Sequence, residues 1–152
     1  MTAVKLTQKE MMYYASACAS FNFRKAARAV TQLFDNTLYP TGLRSTQLVV
    51  LLAAGIYERP GMSQLADAIL TDRTTLTRAL KPLFKKGLLE NIPGPDKRKN
   101  GISLTLKGHQ AIRKAAPYWK RAQDQVVKGF GKTQWEGFLK KLDKATKVAK
   151  KR

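Results

Sequence analysis

Thr74, Arg78, Lys81 and Lys85 recur at steps of four, three and four residues, so on a helix they share one face. Leu76, Leu80, Leu83 and Phe84, at steps of four, three and one, share the opposite face. Such a helix buries one side in a core and offers hydroxyls and cations on the other. Those are the groups that hydrogen-bond base edges in the major groove of duplex DNA, where Arg can pair bidentately with guanine. A second basic group follows: Lys97, Arg98 and Lys99 stand in succession on a loop flanked by Pro93, Gly94, Pro95 and Gly101. Three successive cations at a turn make a finger suited to a minor groove or a row of phosphates. Asp96 beside them is expected to pair with Arg98 and narrow its rotamers, reducing the entropy lost on contact. A charged outer helix face taken alone is more often merely solvated. The helix and the finger together favour a polyanionic partner.

The elements needed to hold these groups can be read from the surrounding pattern. Thr7-Gln8-Lys9-Glu10 is a capping box, and Met11, Tyr14, Ala15, Cys18 and Phe21 follow at three- and four-residue steps. Ala26, Ala29, Val30, Leu33 and Phe34 keep the period, which predicts one long amphipathic helix to about Leu38, stopped by Pro40 and Gly42. A helix from about Ser45 to Tyr57 is dominated by Leu48, Val49, Leu51, Leu52 and Ile56. Arg59-Pro60-Gly61 reads as a break or a very short strand, followed by a short helix over 63–70. Thr71 and Asp72 form a capped turn, and the Arg73–Lys86 helix ends at Gly87. Pro82 within it is expected to remove one backbone hydrogen bond and bend it. Leu88–Ile92 and Ile102–Thr105 read as strands around the basic turn. Helix resumes near Leu106 and runs to about Lys128. Thr133-Gln134-Trp135-Glu136 is a second capping-box pattern, opening a helix to about Ala149.

Composition narrows the class. The chain has 152 residues, 43% of them hydrophobic, enough for a core, and its Lys and Arg exceed its Asp and Glu by 19. The excess is +3 over residues 1–70, +5 over 71–100 and +11 over 101–152, so it gathers downstream of Thr71. Each phosphate neutralised by such cations releases condensed counterions. No apolar run is long enough to span a bilayer, and no secretory leader pattern opens the sequence. A single cysteine permits no intrachain disulfide, which fits a reducing cytoplasm. Neither a Gly-rich phosphate loop, an HExxH motif nor paired cysteines occur, and no nucleophile partners the one histidine, so no enzyme activity or cofactor is expected.

Two short helices, a turn, a third helix and a β-hairpin form the winged helix-turn-helix order. The stretch resembles the MarR (multiple-antibiotic-resistance regulator) family of bacterial and archaeal winged-helix regulators. The residues that carry the resemblance are Gly42-Leu43-Arg44-Ser45-Thr46-Gln47, Ser63-Gln64-Leu65-Ala66, Asp72-Arg73-Thr74-Thr75-Leu76-Thr77-Arg78, Lys86-Gly87-Leu88-Leu89, Asp96-Lys97-Arg98 and Leu104-Thr105-Leu106-Lys107-Gly108. Arg44 departs from a capping Thr or Ser frequent in the family, and Asn91 from a frequent basic residue. The expected fold is mainly α, with a small antiparallel β wing and long terminal helices. The regions are a dimerisation helix over 6–40, a DNA-binding winged helix-turn-helix over 43–108, and C-terminal dimerisation helices over 109–152. The resemblance implies a homodimer on a pseudopalindromic operator, with Asp96 and Arg98 at the wing beside the minor groove. Ser63, Gln64 and Arg73 are expected at phosphates and Thr74, Thr75, Thr77, Arg78 and Lys81 near base edges, with Lys97, Arg98 and Lys99 gripping the adjoining groove. A sequence-tolerant architectural DNA-binding protein is the alternative, supported by Lys140, Lys141, Lys144, Lys147, Lys150, Lys151 and Arg152.

The expected effector is a small aromatic molecule or an oxidant. Cys18 is the redox candidate, although a cysteine on an apolar helix face is more often buried and inert. Tyr13, Tyr14, Phe21, Phe23 and Tyr39 are candidates for an aromatic pocket, with core and dimer packing the commoner role. His109 and Cys18 make no metal site.

Overall fold

The computed structural model describes residues 5–94 and 100–150. Among them, the N-terminal amphipathic stretch is two helices, α1 (Gln8–Ala17) and α2 (Ala19–Leu38), where the periodicity predicts one. The chain steps out of helix at Cys18 (φ −70°, ψ 113°). Asn22 explains how this break is stabilised: its side-chain amide donates to the carbonyls of Ser16 and Cys18, both at 2.9 Å, and its backbone N–H also donates to Cys18 O at 3.1 Å. The Cys18 sulfur accepts the Phe21 N–H at 3.4 Å and so caps α2. The Thr7–Glu10 capping box forms as expected, with Thr7 N–H donating to the Glu10 carboxylate at 2.8 Å.

A 3-10 turn over Tyr39–Thr41 ends at Gly42, whose φ of 73° is a left-handed conformation open to glycine at no steric cost. Then come α3 (Ser45–Ile56), α4 (Met62–Ala68) and α5 (Arg73–Lys85). Arg44 cannot cap α3 as Thr or Ser would, and a carboxylate ten residues upstream supplies the cap. Asp35 of α2 accepts from the Ser45 N–H at 2.6 Å and from its hydroxyl at 2.7 Å. This fastens the long helix to the start of the compact unit.

The β1 strand (Leu89–Ile92) pairs antiparallel with β2 (Gly101–Leu104), Leu89 opposite Leu104 and Ile92 opposite Gly101. The Arg59–Gly61 break lies along β2: Ile102 N–H donates to Pro60 O at 2.9 Å. A side chain at Gly101 would come within 2.8 Å of Arg59 O, so glycine lets the two backbones meet. The α6 helix (Leu106–Phe130) runs unbroken through Pro117, and α7 is Lys132–Lys150. Thr133 therefore lies inside α7. The start is made instead by Gly131, whose carbonyl accepts the Trp135 N–H at 2.9 Å, and the expected Thr133–Glu136 capping box does not open the helix.

One core joins these parts. Leu38, Leu43, Leu48, Val50, Leu51, Leu65, Leu76, Leu80, Leu83, Leu88, Leu89, Ile102 and Ala115 are all buried in it. Of the apolar residues that dominate α3, Val49, Leu52 and Ile56 are exposed in the single chain. Neither α1 nor α7 contains any buried residue.

Candidate nucleic-acid interface

The two faces of α5 are cleanly segregated. Leu76, Leu80 and Leu83 are at most 1% exposed, and Phe84 packs partly buried against the same core. Arg73, Thr74, Thr75, Thr77, Arg78 and Lys81 are all exposed. The helix continues through Pro82 without interruption to Lys85. Its end is fixed by Gly87 (φ 68°), where Gly87 N–H donates to Phe84 O and Leu88 N–H to Leu83 O. Lys86 reaches back to Gly42 O at 2.8 Å, and Thr105 donates its hydroxyl to Gly87 O at 2.7 Å. The C-terminal end of α5 is thus held from two sides.

At its N-terminal end the expected cap is present. Asp72 accepts the Thr75 N–H at 2.8 Å and the Thr75 hydroxyl at 2.6 Å. These bonds, the hydroxyl first, hold the Asp72 carboxyl below the usual range. The Thr77 hydroxyl donates to Arg73 O at 2.7 Å. Thr75 and Thr77 therefore spend their hydroxyl protons inside the helix and present outward a methyl group and an acceptor oxygen. Thr methyls suit the thymine methyl group. Thr74, Arg78 and Lys81 form no hydrogen bond or ion pair among the described residues, so their donors face solvent.

Ser63 and Gln64 are exposed on the first turn of α4, whose N-cap is Gly61. Backbone N–H groups at a helix start favour anions, as do the side chains beside them. The β1 and β2 strands flank the basic turn of the wing. Its cationic residues Lys97, Arg98 and Lys99, with Asp96, lie outside the described residues.

The sensing candidates are distributed differently from expectation. Cys18 is exposed at the α1–α2 joint and does not sit on the face of a continuous helix. Tyr13, Tyr14, Phe21, Phe23 and Tyr39 are all exposed and do not converge on one cavity. Tyr39 lines a polar hollow with Arg24, Arg28 and Arg44. The apolar cavity, about 250 Å³, lies where α2, α3 and α6 meet, lined by Val30, Phe34, Leu48, Val49, Leu52 and Trp119. Sequence reasoning missed it because its walls come from three helices whose mutual approach no local spacing encodes. His109 is exposed early in α6. No described helix is long and apolar enough to cross a membrane.

Comparison with known proteins agrees with this architecture. The MarR family pattern matches residues 43–100. The transcriptional regulator MosR of M. tuberculosis, solved in complex with DNA, is 35% identical over 88% of this chain and 98% of its own, with a TM-score of 0.75. The HTH-type transcriptional regulator SarZ of Staphylococcus saprophyticus is 33% identical over 89 residues, which span 58% of this chain and 61% of that protein. An E. coli MarR variant crystallised on operator DNA has the same fold, with a TM-score of 0.79 at 20% identity over 88% of this chain and 96% of its own. The chain belongs to the MarR family of winged-helix transcriptional regulators.

Proposed function

We propose that this chain is a homodimeric, sequence-specific regulator that binds duplex DNA and represses nearby genes in the cytoplasm. The observation that carries the reading is the two-faced α5. A closed leucine core fixes the helix while Thr74, Arg78 and Lys81 stand outward without partners among the described residues. The helix enters the major groove, with Thr75 and Thr77 offering methyls to thymines. Ser63, Gln64 and Arg73 hold phosphates, and Asp96, Lys97, Arg98 and Lys99 form the wing at the minor groove. MosR, the 35% identical relative, is itself a transcriptional regulator solved with DNA, which supports the reading.

Residues 6–40 and 109–152 provide dimerisation, and residues 43–108 provide the DNA-binding unit. Exposed Met11, Met12, Tyr14, Phe21 and Phe23 make α1 and the start of α2 an apolar surface that a second copy would cover. The cavity between α2, α3 and α6 suits a small aromatic effector, since it lies between α2 and α6, on the dimerising side, and α3 of the DNA-binding unit. Cys18 is the candidate for an oxidant, at a joint whose geometry it helps to set.

The test is a salt-series titration on a duplex from upstream of the gene and on a scrambled duplex. A regulator binds the first at least about 10³-fold tighter near physiological salt; equal affinities would leave an architectural protein. Arg78→Ala should cost about 1–3 kcal/mol at one base pair, while Arg98→Ala should weaken both duplexes. Equal losses on both duplexes for Arg78→Ala would remove it from base reading.

A further inference from the structure

The C-terminal helix carries a cationic face that the reading surface does not use. Between Lys132 and Lys150, six lysines stand against two acidic residues, Glu136 and Asp143. At about 100° per residue, Lys140, Lys144 and Lys147 fall within about 60° of one another, and Lys141 flanks them. All four are exposed. Lys147 pairs with Asp143 at 2.6 Å, an exposed contact that gives way readily, while Lys140, Lys141 and Lys144 have no partner among the described residues. The opposite face is in use: Trp135, Phe138, Leu142 and Ala145 are half-buried, and Phe130 at the end of α6 stacks on Phe138 at 5.1 Å and meets Trp135 edge-on at 5.4 Å. With that apolar face half-covered by Phe130, insertion into a lipid surface is disfavoured, and the lysines are what α7 offers to a polyanion. The α6 helix, 25 residues long, sets the turn into α7 roughly 37 Å from the foot of the wing.

From this placement we infer that α7 is a second DNA-contacting surface: Lys140, Lys141 and Lys144 take the phosphates of a second duplex, so the protein bridges two DNA segments. The inference rests on the reading of α5 as the contact to the first. Clustered lysines with no hydroxyl or amide recognition groups among them suit a sequence-independent phosphate row, where affinity comes from counterion release. Three such contacts give the second binding event a log–log salt slope of roughly 3.

The experiment uses the full chain. A biotinylated duplex from upstream of the gene is held on streptavidin, loaded with protein and offered a fluorescent duplex of scrambled sequence. Wild type should retain the second duplex. The combined Lys140→Gln, Lys141→Gln, Lys144→Gln variant should retain it about 10-fold less, while its affinity for one duplex, read by anisotropy, stays within about 2-fold. The corresponding Lys→Arg variant should keep capture, which separates charge from damage to the helix. Undiminished capture by the Gln variant overturns the inference, because the two reading heads of a dimer would then hold both duplexes. Loss of single-duplex affinity in that variant also overturns it, placing the lysines on the first duplex. So does wild type that binds phosphatidylserine vesicles but captures no second duplex. Failure of wild type to bind even one duplex appears in the anisotropy beforehand and defeats the DNA-reading function as well.

Discussion

The winged-helix unit and the helices that flank it are built on opposite terms. Between Leu43 and Ile102 the chain closes its own core: α3, α4, α5 and the hairpin bury Leu48, Leu51, Leu65, Leu76, Leu80, Leu83, Leu88 and Leu89. Neither α1 nor α7 has a fully buried residue, and Met12 and Tyr13 of α1 are 65% and 67% exposed. Isolated helices of ten residues are marginal in water, so α1 needs packing beyond its own residues, which a second copy would supply in the proposed dimer. The winged unit closes its core within one copy, and under the proposed function the flanks that would space two such units do not. A regulator gains from this division, since an event at the flanks shifts the distance between heads without disturbing the reading face.

The largest effect should come from the closed side. Leu80→Ala removes a side chain that is 1% exposed and should cost about 2–5 kcal/mol in denaturant unfolding. A loss under about 1 kcal/mol would mean that the core beneath α5 collapses freely and does not fix the reading helix. Gly108→Ala comes next. Its new methyl would sit 2.2 Å from Leu88 O, a backbone atom, so α6 must shift away from the hairpin, at about 1–3 kcal/mol. Retained stability with retained DNA affinity would show that the α6–hairpin junction is loose. On the open side, Phe21→Ser should leave the unfolding of the winged unit in place while sedimentation shows dissociation at lower protein concentration. Unchanged sedimentation would show that this apolar surface is not where copies meet.

How far the sequence revealed this contrast depends on the range of the interaction. The alternation of Leu76, Leu80 and Leu83 with Thr74, Arg78 and Lys81 is written into i, i+3, i+4 spacing, so the two faces of α5 were legible residue by residue. Asp72 as its cap and Gly87 as its stop were equally local. The break at Cys18 was not legible: apolar periodicity continues across it, and what stabilises the interruption is Asn22, four residues beyond. The expected cap at Thr133 failed because Gly131, two residues earlier, already begins the helix. Asp35 was invisible as a cap because it acts on Ser45 from another helix. The α2–α3–α6 cavity likewise arises from tertiary approach. The exposure of Val49, Leu52 and Ile56 was not legible for a related reason: an apolar side chain meant for a partner or an effector looks in sequence like one meant for the core.

Asp35 joins the two regions and offers a sharper probe of their boundary. Asp35→Ala removes both bonds to Ser45 and should cost about 1 kcal/mol of stability, within a range of about 0.5–2. Because the same carboxylate fastens α2 to α3, the variant should also loosen the spacing of the two heads. Affinity for a full operator should then fall more than affinity for a half-site. Equal losses on both would show that Asp35 acts only as a cap.

The smallest effect, and the one that separates the regions by chemistry alone, is the acid response of their caps. Asp72 caps α5 and Glu10 caps α1, and hydrogen bonds hold both carboxyls below their ordinary values of 3.8 and 4.5. For Asp72 the Thr75 hydroxyl is the larger cause, and for Glu10 it is the Thr7 hydroxyl. A carboxyl whose value is lowered by folding contributes stability that is fully present above its unfolded value and is lost as pH falls through the folded one. Neither cap should therefore respond between neutral pH and the upper 4 range, and both should weaken below it. Asn caps a helix about as well as Asp but does not titrate. Asp72→Asn should flatten the acid sensitivity of α5, followed by amide exchange of its first turn, and leave that of α1 unchanged. Glu10→Gln should do the reverse. If Asp72→Asn left the acid response of α5 as steep as before, the cap would not be its source. The acid response of α5 would then be set by another titrating group in the fold, and the closed side of the molecule would be less self-contained than its burial implies.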